Sequence, residues 1–178
     1  MEHKIYIILS KSNTLMAKAV RLYTRKKYSH TSLALDSSLS TFYSFGRRNP
    51  RFMLAAGFII EGIKNGFFKL YPSTQIYVLE AIITDEQLKD IENRLKPFID
   101  SPLEYKYNVL GIIPTMLGIS YRRKKHFLCS TFVAYVLYNC FKFKTDYTLV
   151  YPEDFFKLNL KKVYEGDAQN YADSKILC

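Results

Sequence analysis

The chain has 178 residues, of which 48% are hydrophobic, and this is enough to build one domain around a single core. Its formal net charge of +10, from 26 basic and 16 acidic residues, favours contact with anionic partners but says nothing about the fold. The basic residues form short clusters without the spacing of a zinc finger, a basic zipper or an aromatic RNA-binding motif. No specific nucleic-acid site is therefore predicted.

The three cysteines, Cys129, Cys140 and Cys178, include no C-x-x-C pair. This pattern predicts neither a disulfide framework nor a structural zinc site, and we expect no metal or other cofactor. The N-terminus does not resemble a secretory signal, and no apolar stretch of about 18 residues could span a bilayer. We expect a soluble, cytoplasmic protein without a transmembrane segment.

The first part of the chain predicts a strand, a helix and a β-hairpin. Residues 4–9 form a short β-branched and aromatic run that is typical of a buried strand. Apolar residues then recur at helical spacing over 15–23, where Ser12 or Asn13 would cap the helix. Residues 30–36 and 41–46, joined by the turn-like SSLS, alternate as the two strands of a hairpin do.

The middle of the chain continues the sheet and adds a helix. The Arg-rich residues 47–53, with Pro50, predict a loop. Residues 57–63 and 74–83 predict two further strands. Thr84, followed by acidic residues and Gln87, predicts a capped amphipathic helix that runs to about Ile99.

The last part of the chain predicts mainly helices. Residues 105–117 contain Gly111 and Pro114 and predict a bent or broken helix, and residues 127–141 are apolar enough for a central buried helix. Pro152 opens a short helix, and residues 161–166 predict a last strand. The fold class is therefore α+β, with an antiparallel sheet of roughly five or six strands packed against helices.

Cys129 is the strongest candidate for a nucleophile, because it falls in the first turn of the predicted helix 127–141. A thiol there is close to the positive end of the helix dipole and to unpaired amides, which favour the thiolate and could also bind an oxyanion. The alternative is that Cys129 is simply buried, as free cysteines often are. Cys140, later in the same predicted helix, is interpreted as a packing residue.

His30 is the strongest candidate for the base that activates the thiol. It opens the first strand of the hairpin, where a short strand end can aim an imidazole at a cleft. A histidine at a strand start can equally be an ordinary surface residue. His3 lies in the N-terminal tail, whereas His126, three residues before Cys129, stays an alternative base.

The hairpin YSHTSLALD…TFYSFG, the strand GFIIEG and the helix HFLCSTFVAYVL together resemble the permuted papain-like cysteine enzymes, in particular the YiiX-like branch of the NlpC superfamily. In that family the histidine strand precedes the nucleophile helix, as His30 precedes Cys129 here. The resemblance covers about residues 6–152. It implies a single permuted papain-like domain over residues 1–178, with Cys129 as nucleophile and His30 as base.

The family uses a third polar residue, on the strand after the histidine, to orient the imidazole, and TFYSFG carries no His, Asn or Glu. Ser44 is the candidate by position. Glu61, on the next strand, is the candidate by chemistry, because a carboxylate stabilises an imidazolium better than a hydroxyl does. We expect three further residues to contact the substrate: Tyr28, Tyr107 and Ser130.

These residues predict a cysteine hydrolase that forms an acyl-enzyme on an amide or ester substrate and needs no cofactor. The resemblance implies substrates that range from cell-wall peptides to acyl and lipid-like molecules, with hydrolysis or acyl transfer as the outcome. The alternative is a non-catalytic binding protein of the same fold that holds an anionic partner, such as lipid or nucleic acid, on its basic loops. Nucleic-acid binding through the loops near Arg47 and Arg122 would weaken steeply with added salt.

Overall fold

The computed structural model describes residues 1–13, 18, 21–22, 25–49 and 52–174, which form an α+β structure on a mixed sheet of eight strands. The strands are β1 Glu2–Lys11, β2 His30–Ala34, β3 Phe42–Asn49, β4 Phe52–Glu61, β5 Gln75–Thr84, β6 Lys106–Tyr107, β7 His126–Phe127 and β8 Lys161–Asp167. Their order across the sheet is β7-β6-β4-β3-β2-β1-β5-β8. Neighbouring strands are antiparallel, except for β6 and β7, which run parallel.

The sheet is larger than the sequence predicted, and it is not wholly antiparallel. The expected strands correspond to β1–β5 and β8, whereas β6 and β7 were missed. Each of these two strands has only two residues, so no alternation of side chains can reveal it. Lys106 of β6 pairs with Gly57 of β4 on one side and with His126 of β7 on the other.

Five α-helices lie wholly within the described residues: α1 Gly66–Leu70, α2 Asp85–Asp100, α3 Ile112–Met116, α4 Cys129–Val136 and α5 Ala168–Ser174. The predicted start of α2 is confirmed. The Thr84 hydroxyl accepts a hydrogen bond from the Gln87 amide, and the Gln87 side chain accepts one from the Thr84 amide. None of the described helices is both long enough and apolar enough to cross a membrane.

Helices cover both faces of the sheet. Side chains from α2 and α4 pack on one face, and side chains from α1 and α5 pack on the other. Alternation along β2 and β3 separates the two cores, because Leu33 and Phe45 belong to the α4 face whereas Ala34 and Phe42 belong to the α1 face. β2 and β3 therefore each contribute to two hydrophobic layers.

A cluster of phenylalanine rings fixes α4 against the sheet. The Phe132 ring centroid lies 5.1 Å from that of Phe45, 5.6 Å from that of Phe58 and 5.0 Å from that of Phe98. Phe127, in β7, joins the same cluster through Phe45 at 5.4 Å. Aromatic pairs at these separations combine large buried area with a preferred geometry. The start of α4 is therefore held at a defined place beside β2 and β3.

Two predicted segments have a different structure. Residues 47–53 were expected to form a loop, but β3 runs to Asn49 and β4 begins at Phe52. The strands stay paired there because a register shift between Arg47 and Asn49 absorbs the irregular sequence. The broken helix expected over 105–117 begins instead as strand β6, which is followed by a 3-10 turn at Val109–Gly111 and by α3.

The helix predicted over 127–141 is shorter than expected. α4 ends at Val136, and a tighter turn follows in which the Cys140 amide donates to the Leu137 carbonyl at 2.9 Å. Cys140 therefore lies beyond the helix. The helix predicted over 15–23 falls mainly outside the described residues, of which Lys18, Arg21 and Leu22 are helical.

Candidate active site

Cys129 is the first residue of α4 and so lies in the first turn of a helix, where the sequence predicted it, although the helix begins two residues later than expected. The N-cap position is occupied by Leu128, whose side chain has no acceptor for the amides of the first turn. Thr131 supplies part of the cap, because its hydroxyl accepts a hydrogen bond from the Leu128 amide at 2.9 Å. The next amides at the start of the helix remain free to act on the thiol.

The Cys129 thiol is surrounded by backbone donors and is almost fully buried, with 4% of the residue exposed. Burial raises the pKa of the thiol, while the amides of Thr31, Ser130 and Cys129 and the Tyr107 hydroxyl act to lower it. The sequence argument foresaw the amides but not the stronger effect of burial. The expectation that the helix start favours the thiolate is therefore not met, because burial outweighs the donors and favours the thiol.

Tyr107 is the side chain from β6 that lies beside Cys129. Burial, followed by the neighbouring Cys129, raises the pKa of the Tyr107 phenol well above its usual value, so the hydroxyl stays protonated and can donate. The strand is held in place by hydrogen bonds from Lys106 N to Lys125 O at 2.9 Å and from Asn108 N to Phe127 O at 3.0 Å. Tyr107 therefore lies beside Cys129, and its expected contact with the substrate stays a prediction.

Gly57 allows β6 to approach the sheet. A Cβ atom at this position would collide with the Tyr105 carbonyl and the Arg48 guanidinium. Arg48 donates to that same carbonyl at 2.7 Å and to the Pro102 carbonyl at 2.8 Å. A glycine is therefore needed where β4 receives the strand that carries Tyr107.

His30 and Ser44 form a hydrogen bond across the β2–β3 pair, with His30 Nε2 3.1 Å from Ser44 Oγ. Ser44 Oγ also lies 2.6 Å from the Thr31 carbonyl oxygen, which can only accept. Because the single hydroxyl proton of Ser44 goes to that carbonyl, His30 Nε2 must be the donor of the other bond. A neutral His30 then has an unprotonated Nδ1, which is the atom that a base requires.

Burial lowers the pKa of His30 to about 4, and the positive charge of Arg47 contributes in the same direction. His30 is therefore neutral at physiological pH. The alternation along β2 and β3 places the His30 and Ser44 side chains on the α1 face of the sheet, with Ala34 and Phe42, whereas Cys129 belongs to the α4 face. The Thr31 amide, one residue after His30, is among the donors that act on the Cys129 sulfur. Within the described residues, His30 Nδ1 forms no hydrogen bond. No hydrogen bond joins Cys129 Sγ to the His30 ring.

Glu61 does not orient His30. It lies at the end of β4, paired with Phe42, and its Oε2 accepts a hydrogen bond from the Phe67 amide at the start of α1 at 3.3 Å. Burial raises the pKa of Glu61 to about 7, while the Phe67 amide and the charge of Arg47 oppose the shift. The geometry therefore favours Ser44 as the orienting residue and gives Glu61 a structural role.

Two residues that were expected to contact the substrate have other roles. Tyr28 is 3% exposed, and its ring packs edge-on against Tyr77 at 6.0 Å and Phe156 at 5.8 Å. This aromatic group belongs to the core and leaves no free face for a ligand. The Ser130 hydroxyl donates to the Val150 carbonyl at 2.6 Å, so only the amide of this residue is available at the site.

The remaining candidate groups lie outside this arrangement. His126 Nδ1 is held by the Lys124 carbonyl at 2.7 Å, and His3 Nε2 pairs with Asp85 at 2.6 Å. Burial raises the pKa of Cys140 to about 11, which fits the packing role expected of it. Cys178 lies outside the described residues. Among the residues that the structure describes, no group of three or more His, Cys, Asp or Glu side chains could hold a metal ion.

Sequence reasoning missed Thr31 and Arg47. Thr31 supplies an amide to Cys129 and a carbonyl to Ser44, and its own buried hydroxyl has no hydrogen-bond partner within the described residues. Arg47 places a positive charge near His30 and Glu61. The only signal for Thr31 was that it follows the histidine, because it acts through its backbone amide and carbonyl, which every residue type other than proline has.

Comparison with known proteins finds no family model that matches the chain. No curated protein and no solved structure matches it either. The resemblance to permuted papain-like enzymes therefore rests on the motifs around His30 and Cys129 alone.

Proposed function

We propose that this chain is a cysteine hydrolase or acyltransferase of permuted papain-like fold, with Cys129 as nucleophile and His30 as base. The observation that carries the proposal is the set of donors around Cys129 Sγ, namely three backbone amides and the Tyr107 hydroxyl. A buried cysteine with only a packing role has no need of such donors. His30, whose Nδ1 is unprotonated, is assigned as the base from the sequence motif, and its strand supplies one of these amides.

In the first step the His30 ring, at the end of β2, must turn to the Cys129 side of the sheet. The thiol proton then moves from Sγ to His30 Nδ1 while the sulfur attacks a carbonyl carbon. Burial disfavours a lone thiolate and a lone imidazolium. Proton transfer creates both together, however, and each charge offsets the cost of burying the other. The net charge of the site does not change, so a pair that is neutral at rest can still react.

The attack turns the carbonyl oxygen into an oxyanion. The amides of Cys129 and Ser130 and the Tyr107 hydroxyl are the donors nearest the new bond. Each donor that is already in position for an oxyanion contributes on the order of 10²–10³ in rate. Tyr107 suits this role because its raised pKa keeps its proton in place.

Collapse of the tetrahedral intermediate breaks the C–N or C–O bond, and the proton on Nδ1 passes to the leaving amine or alcohol. A thioester remains on Cys129. Water then gives one proton to Nδ1 as its oxygen attacks the thioester, and the acid leaves as the sulfur regains a proton. An alcohol or amine in place of water would give acyl transfer.

The reaction can be tested with p-nitrophenyl butyrate, a small activated ester that does not require knowledge of the natural substrate. We expect release of p-nitrophenolate and a butyryl group on Cys129, located by peptide mass spectrometry. Cys129→Ser and His30→Gln should fall to the background rate. Cys140→Ser is the matched control, because Cys140 is a half-buried thiol away from the site, and it should react like the unmodified protein.

A non-catalytic binding protein of the same fold is the second candidate. One observation favours it: burial raises the pKa of the Cys129 thiol, and a binding protein needs no reactive thiol. The enzyme proposal is wrong if two results are found together. Cys129→Ser releases p-nitrophenolate as fast as the unmodified protein, and the unmodified protein carries no acyl group on Cys129. The binding function then becomes the better account.

A further inference from the structure

The segment between Tyr107 and Cys129 carries an exposed apolar surface. We define the apolar ridge as six residues of this segment: Val109, Leu110, Ile113, Leu117, Ile119 and Tyr121. The first five are between 56% and 67% exposed, and Tyr121 is 36% exposed. Large apolar side chains are seldom gathered at such exposure on a protein that meets only water.

Part of the ridge occupies one side of a short helical stretch, Val109–Gly111 and Ile112–Met116, whose opposite side is buried. Leu110, Ile113 and Leu117 are spaced three and four residues apart and share a face, whereas Gly111 and Thr115 are buried on the other side. This is the reverse of the pattern in an ordinary surface helix.

Polar contacts hold the inner side in place. The Thr115 hydroxyl donates to the Thr148 carbonyl at 3.4 Å, and the Tyr151 hydroxyl donates to the Thr115 carbonyl at 2.8 Å. Ser120 Oγ lies 2.8 Å from the Thr148 hydroxyl. Because these bonds fix the segment, the apolar side chains are kept facing out.

Basic residues flank the ridge. They are Lys106, Arg122, Arg123, Lys124 and Lys125. Arg122 pairs with Asp146, and Lys125 pairs with Glu104. Within the part of the chain that the structure describes, the other three cations have no carboxylate partner. The five cations therefore exceed the two carboxylates, and the surface around the ridge is positively charged.

We propose that the apolar ridge and its flanking cations dock the protein on a lipid bilayer that contains anionic lipids. Apolar side chains that enter the boundary between headgroups and acyl chains, together with cations at headgroup level, are the two features of an interfacial membrane-binding surface. The positive charge selects an anionic bilayer over a neutral protein surface. Docking does not depend on the proposed chemistry, but it would bring Tyr107 and Cys129, at the two ends of the segment, close to lipid.

The test is co-sedimentation of the full chain with phosphatidylcholine vesicles, with and without phosphatidylserine. We expect binding only to vesicles with phosphatidylserine, and binding that weakens as salt is added. Ile113→Ser with Leu117→Ser should weaken binding at least tenfold. Arg123→Gln with Lys124→Gln should weaken it roughly thirtyfold, at about a factor of five for each cation.

The controls change equivalent residues elsewhere. Ile82→Ser removes an apolar side chain that is 58% exposed, and Lys64→Gln with Lys69→Gln removes two exposed cations near α1. These variants, and Cys129→Ala, should bind like the unmodified protein. Circular dichroism and thermal melting confirm that each variant is folded, and a variant that fails is replaced by Leu110→Ser.

Three results would overturn the proposal. The unmodified protein could fail to bind vesicles with phosphatidylserine. The cation variants could lose binding while the ridge variants keep it, which would indicate a general anion site such as one for nucleic acid. Light scattering after size exclusion could reveal a dimer that Ile113→Ser with Leu117→Ser separates, without vesicle binding, which would make the ridge an interface between two copies of the chain.

Discussion

His30 Nε2 lies 3.1 Å from Ser44 Oγ, and the hydroxyl proton of Ser44 is directed to the Thr31 carbonyl 2.6 Å away. This pair of contacts sets the tautomer of the imidazole, with the proton on Nε2 and the lone pair on Nδ1. A serine in this place supplies orientation without a negative charge. It also leaves the imidazolium that forms during the reaction less stabilised than a carboxylate would.

Ser44→Ala should remove this control of the tautomer. We expect nitrogen NMR of the imidazole to show the proton on Nε2 in the unmodified protein and a mixture of the two tautomers in the variant. Acylation of Cys129 by p-nitrophenyl butyrate should slow by roughly tenfold, a part of the 10²–10⁴ that a well-placed base contributes. The Thr31 carbonyl loses its partner as well, so the free energy of unfolding should fall by about 1–3 kcal/mol.

Ser32→Ala is the matched control for this experiment. Ser32 is the cross-strand partner of Ser44 and is equally buried, but its hydroxyl has no hydrogen-bond partner within the described residues. Its removal should leave the tautomer, the acylation rate and the stability nearly unchanged. Equal effects of Ser32→Ala and Ser44→Ala would mean that the Ser44 hydroxyl does not orient His30.

Tyr107→Phe should slow acylation on the order of 10²-fold, because the oxyanion loses one donor. The ring and its packing stay, so thermal stability should change little. Tyr105→Phe serves as the comparison. The Tyr105 ring packs against Phe98 with centroids 4.2 Å apart, and among the described residues its phenol has no hydrogen-bond partner, whereas its carbonyl accepts hydrogen bonds. A Tyr107→Phe variant that acylates as fast as Tyr105→Phe would exclude the phenol from the reaction.

His30 and Glu61 should shift the stability of the protein with pH in opposite directions. The unfolded chain protonates His30 near its usual pKa of 6.5, but burial lowers the folded pKa to about 4, so stability falls as pH falls from 6.5 to 4. For Glu61, burial raises the folded pKa from 4.5 to about 7, so stability falls as pH rises from 4.5 to 7. Between about 4.5 and 6.5 the two effects largely cancel.

Single variants separate these two effects. The free energy of unfolding of Glu61→Gln, from thermal melting, should rise with pH between 4 and 6.5. That of His30→Gln should fall with pH between 4.5 and 7. Each slope should be at most about 1.4 kcal/mol per pH unit, the value for one proton. If both variants had slopes of the same sign, one of the two shifted pKa values would be refuted.

Periodicity predicted the parts of the fold that are long enough to show it. The strands that became β1–β5 and β8 and the capped start of α2 follow from alternation and from Thr84 with Gln87. The two-residue strands β6 and β7 are too short to show a period. The end of α4 could not be predicted either, because the turn that follows it contains apolar residues such as Leu137, which are equally typical of a helix.

Sequence reasoning named the side chains of the candidate site and the amides at the start of its helix, but not the amide of Thr31. Cys129, His30, Ser44 and Tyr107 were named from residue type and position. The amide of Thr31 comes from a strand distant in the sequence, so no local pattern could link it to Cys129. The direction in which the pKa of the Cys129 thiol shifts was also missed, because burial depends on how the phenylalanine cluster packs around the helix start.

The most direct test of a Cys129–His30 pair is the rate of Cys129 alkylation by iodoacetamide as a function of pH, in the unmodified protein and in His30→Ala. Because the resting thiol has a raised pKa, alkylation at neutral pH should depend on His30 as general base, and the variant should react at least about tenfold more slowly. Above the thiol pKa the thiolate needs no base, so the two rates should converge. A ratio of the two alkylation rates that stays constant across the pH range would contradict a Cys129–His30 pair, and so would a Cys129 that never reacts.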